Sequence, residues 1–214
     1  MPDVRYFRKK FLGQNSLQPV ISEDQSWSTL LNQMYHEEVA KNGREYQCEG
    51  YVSHIIRLIE KWIEGPKASC LLVGGVGLGK TNMMRILMRL FDILRDPINI
   101  PPIRVRPIMY VDAADWSSKS TSDEDLFREA CQCKVLFIDD FGSEEDTYCN
   151  FGNRWSPIKQ VILTRYSLRL PTICSTNLSL EALACKYGNR VADRMNEMYA
   201  IVQYPEHESF RRMV

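Results

Sequence analysis

From Tyr51 onward the apolar positions fall into a helical rhythm. In YVSHIIRLIEKWIEG, Val52, Ile55, Ile56, Ile59 and Ile63 share one face, and Gly65-Pro66 ends the run. The unbroken apolar stretch SCLLV (69–73) predicts a strand buried on both faces. TNMMRILMRLFDILRD (81–96) returns to helical spacing, with Met84, Leu87, Met88, Phe91 and Leu94 on one side. Prolines at 97, 101, 102 and 107 exclude a helix interior after it. PIMYV (107–111) reads as a strand, and TSDEDLFREA (121–130) as a short helix with capping and acidic residues in its first turn. VLFID (135–139) is the most strand-like run, and residues 143–156 read as a polar loop. SPIKQVILTRYSLRL (156–170) predicts a helix entered through Pro157, with apolar residues at 158, 161, 162 and 168. PTICSTN (171–177) is a further strand. LSLEALACKYGN and NRVADRMNEM predict two short helices split near Gly188, and YAIVQY (199–204) a last strand stopped by Pro205.

Strand and helix thus alternate from about residue 69 to residue 204. This order predicts an α/β fold: a five-stranded parallel sheet with helices on both faces, joined by right-handed crossovers. Ligands of such sheets bind beyond the carboxyl ends of the strands. Residues 1–45 are polar and mixed and read as an N-terminal arm, with one folded domain over 46–214. In the arm, Arg5, Arg8, Lys9 and Lys10 interleave with Tyr6, Phe7 and Phe11. Two readings fit YFRKKF: a contact with nucleic acid by phosphate pairing and stacking, or a solvated basic tail.

Composition narrows the class. With 214 residues, 44% hydrophobic and 25% charged, the chain has the make-up of a soluble globular protein and not of a disordered one. It has no apolar stretch near membrane-span length, and no apolar run follows the basic N-terminal residues as a secretory signal requires. Twenty-seven Lys+Arg balance 27 Asp+Glu, so bulk charge does not drive nucleic-acid binding. Seven scattered cysteines, with Cys131-x-Cys133 the only close pair, read as reduced thiols of a cytoplasmic protein.

The candidate chemistry sits at the strand ends. Gly74-Gly75-Val76-Gly77-Leu78-Gly79-Lys80-Thr81, continuing into Asn82, matches the P-loop pattern between an apolar strand and an amphipathic helix. Its glycines let backbone N–H groups face phosphate oxygens, Lys80 reaches the β/γ-phosphates, and the Thr81 hydroxyl ligates Mg²⁺. Asp139 and Asp140 close VLFID. The first is placed to serve the metal opposite Thr81 and the second the attacking water. Asn177 has two readings, a γ-phosphate or water contact and a cap of the next helix. Arg190 and Arg194 share a helix face, suited either to a neighbouring active site or to surface pairing with Asp193 or Glu197.

GGVGLGKT, VLFIDDFG, RYSLRLPTICSTNLS, YGNRVADRM and ESFRR, in that order over about residues 50–212, resemble the DnaC/IstB branch of AAA+ ATPases. The resemblance implies a P-loop NTPase fold of the AAA+ (ASCE) type. It makes Gly74–Thr81 the Walker A motif, residues 135–140 Walker B, Asn177 sensor 1, Arg194 an arginine finger acting in trans, and Arg211 the sensor 2 arginine. Since the sequence stops soon after Arg212, no full C-terminal lid domain is expected. Asp140 stands where many AAA+ proteins carry Glu, which implies slow hydrolysis. The implied protein binds ATP and Mg²⁺, self-associates, grips single-stranded DNA and docks on a replicative helicase. The alternatives are an IstB-like ATPase that assists a transposase, and a nucleotide-dependent binding module with little hydrolysis.

Overall fold

The computed structural model describes residues 3–12, 26–41, 49–95, 108–150, 153–207 and 209–210. Five parallel strands form one sheet: β1 (Ser69–Val73), β2 (Ile108–Asp112), β3 (Val135–Asp139), β6 (Thr172–Thr176) and β7 (Tyr199–Gln203), in the order β2-β3-β6-β1-β7. The three inner strands are buried at every position, whereas edge strands β2 and β7 alternate. That contrast explains why the inner strands read as continuous apolar runs.

Strand parity divides the core into two layers. Cys70 and Leu72 of β1, Val135 and Phe137 of β3, and Ile173 of β6 face α2 (Trp27–Lys41), α3 (Glu49–Glu64) and α4 (Lys80–Leu94). Leu71, Val73, Leu136, Ile138 and Cys174 face the other way. There they meet α5 (Ala113–Ser120), α6 (Glu124–Gln132), α7 (Pro157–Leu168), α8 (Leu180–Tyr187) and α9 (Asn189–Met198). No described helix is long and apolar enough to cross a membrane.

The N-terminal residues depart from expectation. α1 (Val4–Phe7), a π-helical turn (Arg8–Leu12) and α2 all pack on the first layer. Phe7 and Phe11 each meet Phe91 edge to face, with centroids 4.8 and 5.1 Å apart. The Arg8 guanidinium is buried and donates to the Leu94 carbonyl at the end of α4. The Lys10 ammonium donates to the carbonyls of Trp62, Ile63 and Gly65 at the end of α3. Both cations therefore satisfy helix C-termini, where orphan carbonyls and the dipole favour them. Phe7, Arg8, Lys10 and Phe11 are thus not part of a solvated basic tail.

Three further differences are local. Helix α5 was not expected, and the helix expected over 121–130 instead runs from Glu124 to Gln132 behind its Asp123 cap. The loop expected over 143–156 holds a small antiparallel pair, β4 (Tyr148–Asn150) and β5 (Asn153–Trp155). On α7, Leu168 is 55% exposed, while the fully buried Arg165 extends the face of Ile158, Val161 and Ile162.

Candidate nucleotide site

β6 lies between β1 and β3, so the residues that follow these three strands meet along one carboxyl edge. After β1 the chain turns away at Gly74, whose N–H donates to the Thr176 carbonyl at 3.2 Å. A Cβ at Gly74 would stand 2.6 Å from the Tyr204 Cβ, so only glycine allows this approach. Gly79 takes φ +86°, a conformation open to glycine, and precedes α4 without any side-chain cap. Gly79 thus offers no side-chain acceptor to the start of α4, where backbone N–H groups and the helix dipole favour an anion.

Lys80 is 5% exposed, and its ammonium bends back over the loop. It donates to the Gly74 carbonyl at 2.8 Å, the Gly75 carbonyl at 2.7 Å and Asn177 Oδ1 at 2.6 Å. Asn177 Nδ2 in turn donates to Asp140 Oδ1 at 3.2 Å. One amide thus joins the β1 loop to the β3 carboxylate. The cap of α8 is Ser179, which accepts from Ala182 N–H. Asn177 does not serve as that cap.

Asp139 ends β3 almost buried, and Asp140 follows in the left-handed region at φ 52°. Asp tolerates this conformation better than most residues, and it turns the second carboxyl out of the strand's alternation. Burial, then the adjacent Asp139 carboxylate, push the Asp140 carboxyl above its ordinary value, while Lys80 and the Asn177 hydrogen bond pull it down. Two residues outside the expected set complete the arrangement. Tyr110 Oη donates to Asp139 Oδ2 at 2.6 Å, and Ser175 Oγ donates to Asp139 Oδ1. The Asp140 N–H is shared between Asp139 Oδ1 at 3.2 Å and Ser175 Oγ at 3.0 Å. Strand alternation in PIMYV and PTICSTN was their only sequence signal, and it does not distinguish a hydroxyl aimed at a carboxylate from one packed in the sheet.

Downstream of β3, the Phe141 ring stacks on Tyr187 of α8 at 4.7 Å, and the Tyr187 hydroxyl donates to buried Glu144. The loop after the carboxylates is thereby fastened to α8. At the other side of the P-loop, Phe210 N–H donates to the Gly77 carbonyl at 3.2 Å. The structure brings Gly74–Thr81, Asp139, Asp140 and Asn177 together. Arg194 is not in that group: on α9 its guanidinium lies 4.7 Å from the centre of the Tyr166 ring of α7. Arg190 is exposed on the same helix. Arg211 lies outside the described residues.

The uncapped helix start, the glycine turns and the Lys80 ammonium suit a polyphosphate. The Thr81 hydroxyl and the Asp139 carboxylate are donors of the kind a hard divalent cation takes. No family model matches the chain. The replicative helicase loader DnaC of Escherichia coli K12 is 24% identical over 179 residues, covering 81% of this chain and 71% of that protein. A crystal structure of DnaI superposes with a TM-score of 0.53 at 16% identity, covering 81% of this chain and 94% of that one. Replication initiator DnaA bound to AMPPCP and single-stranded DNA gives a TM-score of 0.54 at 14% identity, over 78% of this chain and 50% of that one. The ordered motifs, the sheet with β6 between the P-loop strand and the carboxylate strand, and these likenesses agree: the chain has the α/β P-loop fold and is similar to the replicative helicase loader DnaC.

Proposed function

We propose that this protein is an ATP-dependent accessory factor of DNA replication, a loader of the DnaC type. In this reading it binds ATP·Mg²⁺ at Gly74–Thr81, assembles with further copies of itself on single-stranded DNA in the cytoplasm, and docks on a replicative helicase. The observation that supports it most is the hydrogen-bonded chain Lys80–Asn177–Asp140 across three strand ends, in a protein 24% identical to a replicative helicase loader.

Backbone N–H groups of the loop and of Asn82 hold the phosphates, and Lys80 exchanges the Gly74, Gly75 and Asn177 acceptors for phosphate oxygens. Thr81 and Asp139 would hold Mg²⁺, which when bound neutralises charge on the β- and γ-phosphates. Asp140 accepts the proton of the attacking water, and Asn177 orients that water or the γ-phosphate. Arg194, and Arg211 by resemblance, supply positive charge to the transferring group. Residues 1–45 serve as the partner-docking segment and 46–214 as the ATPase domain. Among the described residues of that segment, Arg5, Lys9 and Lys41 are exposed basic side chains open to a partner. One observation favours a second reading, nucleotide-dependent binding with little turnover: the short side chain of Asp140 is already engaged by Asn177.

Purified protein should bind ATP with Mg²⁺, hydrolyse it slowly and faster with single-stranded DNA, and capture a hexameric replicative helicase. Binding without turnover under all conditions would select the second reading. Capture of a transposase and no helicase would transfer the protein to the IstB-like role.

A further inference from the structure

Tyr110 belongs to none of the motifs that mark the site. On β2, Met109 and Val111 face the α5–α9 layer, while Ile108 and Tyr110 pack on the layer of α2, α3 and α4. β2 runs in parallel register with β3, Tyr110 opposite Phe137 and Asp112 opposite Asp139. Val135 and Phe137 face the α4 side, so Asp139, of the same parity, projects toward the helix that begins Lys80-Thr81. The Tyr110 phenol therefore reaches Asp139 as a diagonal neighbour across the strand pair, and donates to Oδ2 at 2.6 Å.

The other oxygen is already filled. Asp139 Oδ1 accepts from both Ser175 Oγ and the Asp140 N–H. A carboxylate offers about four lone-pair sites, two on each oxygen. Oδ1 is thus saturated, and Oδ2 keeps one site beside the phenol. All three donors are neutral, so they fix the carboxylate plane without cancelling its charge, as a lysine or arginine partner would. A buried acid held in this way is oriented for a further cation.

We propose that Tyr110 is a positioning residue for the divalent ion of the nucleotide site, acting through Asp139 by fixing the direction of the free Oδ2 lone pair. The proposal rests on the nucleotide reading above. Groups that orient a metal's ligands typically change its affinity by about 10–100-fold when removed.

The test uses the full chain with Mn²⁺ as probe, followed by electron paramagnetic resonance in the presence of AMPPNP. Tyr110→Phe should raise the Mn²⁺ concentration for half-saturation roughly tenfold. Nucleotide affinity measured in EDTA should stay at the wild-type value, a combination that a packing role would not produce. An unchanged or lowered Mn²⁺ requirement overturns the proposal. Should Tyr110→Phe fail to fold, Ser175→Ala tests the same donor set from Oδ1. A raised Mn²⁺ requirement supports the proposal, and an unchanged one overturns it. If the wild-type chain takes up no nucleotide with or without Mn²⁺, the nucleotide reading itself falls. If the wild type binds and the variant matches it, only the Tyr110 assignment falls.

Discussion

Lys80 carries the site's chemistry and, as it stands, also part of its internal bonding. Its ammonium is shared by two loop carbonyls and Asn177, contacts that phosphate oxygens would replace. Lys80→Ala should therefore abolish ATP binding or turnover while circular dichroism and the unfolding transition remain those of a folded chain. Wild-type ATPase activity in that variant would remove the P-loop from the mechanism. The two acids next to each other should separate in function because their surroundings differ. Asp139 is buried and held by neutral donors, whereas Asp140 is turned out at φ 52° toward Asn177. Asp139→Ala should lose Mg²⁺-dependent tight ATP binding. Asp140→Asn should bind ATP with near wild-type affinity and fail to hydrolyse it, since an amide cannot take up the water's proton. Equal effects of both changes on binding, measured by titration calorimetry, would contradict this division.

At the scale of elements, legibility in the sequence followed burial on two faces. SCLLV, VLFID and TICST carry apolar side chains toward both layers, in runs too short for a helix and bounded by polar or turn residues. The P-loop and the paired acids were legible because their chemistry is written in consecutive residues. Helix α2 is hard to see in the sequence, although its buried Trp27, Leu31, Met34, Tyr35 and Val39 have helical spacing. Polar residues dilute the pattern, and Arg8 and Lys10 looked like solvent-facing charges when they cap α4 and α3. Helix α5 hides for a related reason, since half of its buried face is Ser117 and Ser120. Arg165 is the sharpest case. It is fully buried and donates to Thr172 Oγ1, to the carbonyls of Ala130 and Cys133 at the end of α6, and to the Pro171 carbonyl. A pattern scan sees a charge on α7 and passes on to Leu168. Arg165→Met keeps comparable bulk yet leaves three buried carbonyls without this donor, each worth about 1–3 kcal/mol. With partial rehydration the expected loss is roughly 2–4 kcal/mol, read as a lower denaturant midpoint. A loss below about 0.5 kcal/mol, the range of ordinary surface changes, would show that the guanidinium does not hold α6 to the sheet.

For the whole molecule, the arrangement leaves one component apart from the rest. The P-loop, both acids and Asn177 meet at the carboxyl edge of the sheet, whereas Arg194 rests on Tyr166, itself hydrogen-bonded to Glu197, on the α7–α9 face. If Arg194 serves as the resemblance implies, its target is the γ-phosphate bound by an adjacent copy, and a single chain cannot complete its own site. Arginine fingers contribute about 10³–10⁵ in rate in phosphoryl transfer. Turnover should then rise more steeply than linearly with protein concentration, and single-stranded DNA should promote it by lining copies up along a strand. A net charge of zero sets no long-range attraction between copies and DNA, so this alignment has to come from local contacts. Arg194→Ala should bind ATP almost normally yet hydrolyse it poorly. Mixed with Lys80→Ala it should regain activity, because a junction can then form between an intact P-loop on one copy and an intact arginine on the next. If specific activity is flat across concentrations with and without DNA, and the mixture recovers nothing, Arg194 acts within its own chain or serves only to stack on Tyr166. The exposed Arg190, one helical turn earlier on α9, then becomes the residue to replace.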